Sequence, residues 1–71
     1  MNIEKMKQFM KEHEIKSSDV AKALGINEST WFRKIGRNGE TVTIKEMNAI
    51  IEEFNIPMSE AAEIFFDEKL A

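Results

Sequence analysis

The sequence predicts an all-α fold, a compact bundle of about five short helices, and three observations carry that expectation. Apolar residues recur at helical spacing in successive segments, and helix caps and turn formers punctuate them. A length of 71 residues with 42% apolar composition supports one small domain, spanning 1–71, and leaves no room for a second. Cysteine is absent, histidine occurs once and metal-ligating residues do not cluster. Helix packing must therefore suffice, with no disulfide, metal site or cofactor expected.

The first element covers residues 2–13. Ile3, Met6 and Met10 fall at helical spacing with Phe9 beside them, and Asn2 precedes them as an N-cap. Methionines at such positions read as adaptable packing rather than as ligands. His13, near the helix end, is a surface residue favoured there by the helix dipole, with no catalytic role implied.

Residues 17–39, SSDVAKALGINESTWFRKIGRNG, read as two short helices joined by a tight turn. Val20, Ala21 and Leu24 form one apolar stripe, and Gly25 follows where a helix commonly ends in the left-handed conformation. Ile26 is placed to pack back across the turn, and Asn27 to cap the next helix. In that second helix Trp31 and Ile35 share one face, whereas Ser29, Arg33 and Arg37 lie opposite. Trp31 is assigned to the core because it shares the face of Ile35.

Gly36-Arg37-Asn38-Gly39-Glu40-Thr41 is a polar loop rich in turn formers. Thr43-Ile44-Lys45-Glu46 then has the pattern of a capping box, and Ile44, Met47, Ile51 and Phe54 form the stripe of a core helix ending near Asn55. A final helix is expected over 57–68, opened by Pro57. Ala61, Ala62, Ile64, Phe65, Phe66 and Leu70 spread over most of its surface, leaving Glu60, Glu63 and Asp67 as a narrow polar strip. That apolar excess predicts a subunit interface made by Ile64, Phe65, Phe66 and Leu70, unless the tail folds back and buries Phe65 or Phe66 internally.

The net charge of −3 is unevenly divided. Lys16, Lys22, Arg33, Lys34 and Arg37 outweigh Asp19 and Glu28 over residues 16–37, while residues 46–71 carry seven acids against Lys69. Positive charge therefore coincides with the helix pair, and it is the local field that meets a phosphate backbone.

The run V-A-x-x-L-G-I followed by N-E-S-T-W-F-R-K-I, with small Ala21 at the helix crossing and Gly25 in the turn, resembles the helix-turn-helix of the small phage Cro and CI repressors. The wider XRE family of bacterial regulators shares this lambda-repressor-like fold. The motif spans 17–36, about a third of the chain, and the helical pattern on either side extends the likeness to nearly its whole length. Lys16 stands where the family usually has a Thr or Ser cap, so capping is expected one residue later, at Ser17. Lys34 and Ile35 stand where many relatives have an apolar residue and then Glu. The ending E-I-F-F-D is similar to that of small prophage-encoded regulators.

The resemblance implies a sequence-specific, double-stranded DNA-binding transcriptional regulator of phage or prophage origin, a repressor that occupies an operator and excludes polymerase. The second motif helix would lie in the major groove, with Glu28, Ser29, Thr30, Phe32 and Arg33 toward base edges. Arg33 offers a two-donor fork that matches guanine, its alternative being a phosphate contact or a solvated charge. Ser29 can donate or accept. Glu28 either accepts from a cytosine amine or only favours the helix dipole, and Phe32 either covers a thymine methyl or packs at the helix border. Phosphate contacts fall to Lys16 and Ser17, to Lys34, to Arg37 and Asn38 in the loop, and to Lys45. For Asn38 the alternative is a plain turn, and for Lys45 a solvated lysine. The expected partner is operator DNA with an inverted repeat, bound by a homodimer; no small-molecule ligand is apparent.

With charge and apolar residues mixed from the first positions and no apolar run of membrane-spanning length, a cytoplasmic, nucleoid-associated protein is expected. A second class of function fits the same fold, a protein-interaction module whose acidic half and aromatic tail bind another regulator, a toxin or an antirepressor. Arg33 with Arg37 would matter for the first function, Phe65 with Phe66 for the second. No paired carboxylates, nucleophile–base pair or phosphate-cradling glycine loop stands out, so no enzyme is expected.

Overall fold

Five helices follow one another in the computed structural model, which describes residues 1–66. They are α1 (Ile3–Glu12), α2 (Ser17–Leu24), α3 (Glu28–Gly36), α4 (Ile44–Glu53) and α5 (Met58–Phe65), with no strand among the described residues. The all-α architecture read from the sequence is thus the one found. Helix α2 packs on both α3 and α4, and α1 packs on α5. Met6, Phe9, Val20, Ala21, Trp31, Ile50, Ala61, Ile64 and Phe65 fill the core, joined by Val42 and Ile56 from the connections.

Helix starts follow local chemistry. The Asn2 side chain accepts from the Lys5 amide at 3.1 Å. Thr43 and Glu46 form the reciprocal box, Oγ1 accepting from the Glu46 amide at 3.1 Å and Oε1 from the Thr43 amide at 3.0 Å. At α2 the expected shift of the cap to Ser17 does not occur. Lys16 is the N-cap and Ser17 the first helical residue. Asp19 supplies the missing chemistry from inside the helix, its Oδ2 accepting from the Lys16 amide at 2.9 Å. Asn27 holds the N-cap position of α3 without a side-chain capping bond, and Pro57 stands at the N-cap of α5, one residue before the helix.

Three of the four connections use one device. Glu14, Gly25 and Asn55 adopt left-handed φ of 55°, 69° and 51°. In each case the next residue is isoleucine, and its amide donates to the carbonyl five residues back: Ile15 to Met10 at 2.8 Å, Ile26 to Ala21 at 3.0 Å, Ile56 to Ile51 at 3.0 Å. The following residue, Lys16, Asn27 or Pro57, is the N-cap of the next helix. Each isoleucine therefore both ends one helix and precedes the cap of another. The residues five positions further on, Val20, Trp31 and Ala61, are all 0% exposed, which is the spacing of a hydrophobic staple. Only one of the three corners has glycine. Glu14 and Asn55 hold the left-handed conformation at a cost of about 1 kcal/mol each.

In α4 the inward centre is Ile50, fully buried, rather than Ile44, which is 67% exposed in the first turn. At the other end of the chain α5 closes against α1. The Asn2 amide donates to the Ile64 carbonyl at 2.6 Å, and Lys5 Nζ lies 2.9 Å from Glu63 Oε1 on the surface. Ile64 and Phe65, expected at a subunit interface, are consequently 2% and 4% exposed within their own chain. Packing against α1 uses the face that the sequence offered to a partner, and it also removes Phe65 from any exposed aromatic pair. Phe66 remains half-exposed. Leu70 and the expected extension of the helix to residue 68 lie outside the described residues.

Replacing Glu14 by Gly is expected to stabilise the domain by about 0.5–1 kcal/mol, because the strain of the corner is relieved at a small cost in chain entropy. The readout is a higher urea midpoint with an unchanged slope; a lower midpoint would show that Glu14 is held by something other than the corner.

Candidate nucleic-acid interface

The rotation of α3 is set by Trp31, 0% exposed, with Ile35 half-buried one turn on. Residues about half a turn away must then face outward. Glu28, Ser29, Phe32, Arg33, Gly36 and Arg37 are exposed, and Thr30 is half-buried at the border. The outward face has two unlike edges. On one, Thr30, Arg33 and Arg37 join Lys34 and Thr41 to line a shallow groove between α3 and the loop that follows it. On the other, helical spacing aligns Glu28, Phe32 and Gly36, an edge without a cation, with Ser29 between it and Arg33.

The sequence-expected residues divide accordingly. Thr30, Arg33, Lys34 and Arg37 are brought together in the groove. Lys16 is exposed at the N-cap of α2, with Ser17 half-buried beside it, where the first amides of the helix have no partner inside it. Asn38, exposed with φ 58°, follows α3, and Lys45 is exposed in the first turn of α4. These four do not line the groove.

Lys34 has partners within the chain. Its Nζ donates to the Thr41 carbonyl at 3.0 Å and lies 3.3 Å from Glu46 Oε1, the same oxygen that caps the Thr43 amide. The ammonium ties the end of α3 to the start of α4, and only 16% of the side chain is exposed. A phosphate contact at Lys34 would have to compete with this intramolecular carboxylate and carbonyl. Thr41 was not singled out in the sequence. Its part is played by a backbone carbonyl, which every residue has, so no residue type could have signalled it.

Acidic side chains collect elsewhere. Glu12, Glu60 and Glu63 line a groove between α1 and α5 with Lys5, and that groove shares no residue with the one beside α3. A helix anchored by an indole, with hydroxyl and guanidinium groups outward and a basic edge, has the chemistry to enter a major groove and meet both bases and phosphates. A family model described as the Cro/C1-type HTH DNA-binding domain matches residues 5–67. The chain belongs to this family. The protein is a DNA-binding regulator with a helix-turn-helix domain. No curated protein and no solved structure matches the chain.

Thermal melts separate tie from contact. Lys34→Met keeps the aliphatic stem and loses only the polar ties, so it is expected to cost about 1 kcal/mol of stability. Arg33→Ala and Arg37→Ala should stay within about 0.5 kcal/mol of the parent. Equal losses for all three would contradict this division.

Proposed function

We propose that this Cro/C1-type domain is a transcriptional repressor of phage or prophage origin that binds, as a homodimer, an operator of two inverted half-sites. The observation that carries the reading is the outward face of α3, where Ser29, Arg33 and Arg37 stand exposed opposite the buried Trp31. Arg33 reads a guanine through its two-donor fork, and Glu28, Ser29 and Thr30 meet neighbouring base edges. Arg37 and Asn38 hold the backbone after α3, Lys16 and Ser17 hold it at the start of α2, and Lys45 at the start of α4. These backbone contacts fix register and carry no sequence information. A single small domain with so few phosphate contacts binds weakly, which favours two copies on one operator, with half-sites about one helical turn apart. Of the residues expected at that pairing, Phe66 is exposed, and Leu70 lies outside the described residues. Repression follows from occupancy, because a bound dimer covers a promoter.

Selection from randomised duplexes at moderate salt tests this reading. An inverted repeat should be enriched, and Arg33→Ala should blur it at symmetric positions. Lys16→Ala and Lys45→Ala should weaken all duplexes alike and flatten the salt slope by about one. Enrichment of a single half-site would remove the dimer, and no enrichment would remove the operator.

A further inference from the structure

We propose that Phe32 reads the C5-methyl group of a thymine in each half-site, so that this domain selects its operator partly by an apolar contact. The inference rests on the operator-binding reading above. Phe32 is 51% exposed and is absent from the apolar residues packed on the core. The ring contacts among the described residues are Phe9 with His13 and Phe65 with Phe66, so the Phe32 ring stacks on neither. The other large exposed apolar residues, Ile44, Met58 and Phe66, belong to α4 and the α5 region. On α3, Phe32 is thus a lone half-exposed phenyl ring on a face that otherwise carries polar, charged or small groups.

Its surroundings define what it can meet. Glu28 and Ser29 lie one turn before it and Gly36 one turn after, all exposed. A Cβ added at Gly36 would meet nothing within 4 Å, so the flank beside the ring is open and the glycine is not there to relieve internal crowding. The cationic groups Arg33 and Arg37 stand on the opposite edge, beside the groove. With α3 in a major groove, the guanidinium groups are drawn to phosphates and guanine acceptors, and the edge of Phe32 and Glu28, which carries no cation, is left to the remaining base edges. The one apolar group a base pair presents in that groove is the thymine methyl. A phenyl ring gains by covering it and by leaving water, whereas it offers nothing to a hydrogen-bonding edge.

The test replaces thymines in the selected operator by uracil, one position at a time, which deletes a methyl and leaves pairing intact. At one thymine per half-site, binding by the parent protein should weaken about fourfold, the size expected for one buried methyl-sized group. Phe32→Ala should bind thymine and uracil duplexes equally at that position, while Phe32→Leu should retain part of the difference. Cytosine replaced by 5-methylcytosine at that place should tighten binding by the parent and not by Phe32→Ala. Tight specific binding with uracil tolerated everywhere, or an unchanged uracil penalty in Phe32→Ala, would overturn the role of Phe32 alone. Failure to select any duplex would overturn the operator reading, and this inference with it.

Discussion

Burial of Trp31 is the interaction on which the outward face of α3 depends. Withdrawing an indole from water removes roughly 150–250 Å² of surface, worth about 4–6 kcal/mol at the usual apolar coefficient. Against this stands one cost. The Nε1–H is buried without an acceptor among the described residues, a penalty of about 1–3 kcal/mol. Area wins, and the ring remains an anchor of a few kcal/mol. Since successive residues on a helix are about 100° apart, a slip of one residue would swing Arg33 away from its exposed position opposite the indole. The indole therefore fixes orientation as much as it contributes stability.

Much of this was legible in the sequence, because much of it is local. The two reciprocal cap residues of α4, the Asn2 cap, the left-handed Gly25 and the inward Trp31 are each decided within one or two turns of chain. The corners at Glu14 and Asn55 were not legible, since neither residue type demands a left-handed φ. What they share with Gly25 is the isoleucine that follows, a signal visible only after the bond from that amide has been seen three times. The surroundings of the outer residues were not legible for a different reason. Periodicity gives the width of an apolar arc but not which part of it finds a neighbour. Ile64 and Phe65 are inward because α1 lies against α5, and Lys34 is tied because a loop carbonyl and Glu46 come within reach.

The overall charge of −3 is misleading about the surface that matters. Arg33 and Arg37 border one groove, whereas Glu12, Glu60 and Glu63 border another. Because screening in physiological salt confines a field to about 8 Å, it is this local distribution and not the total that a nearby phosphate meets. The tie made by Lys34 serves the same surface indirectly: it holds the loop beside Arg33 and Arg37 without placing another free cation there.

The hydrogen bond between the Asn2 amide and the Ile64 carbonyl has a topological consequence. It brings the opening of α1 beside the close of α5, so the helical core enters and leaves at one corner. A host protein would need to part a surface loop by only about 5 Å, the spacing of two hydrogen-bonded chains, to accept the core as an insert. The fold is in this sense a cassette, able to be carried within another chain without unwinding either of its outer helices.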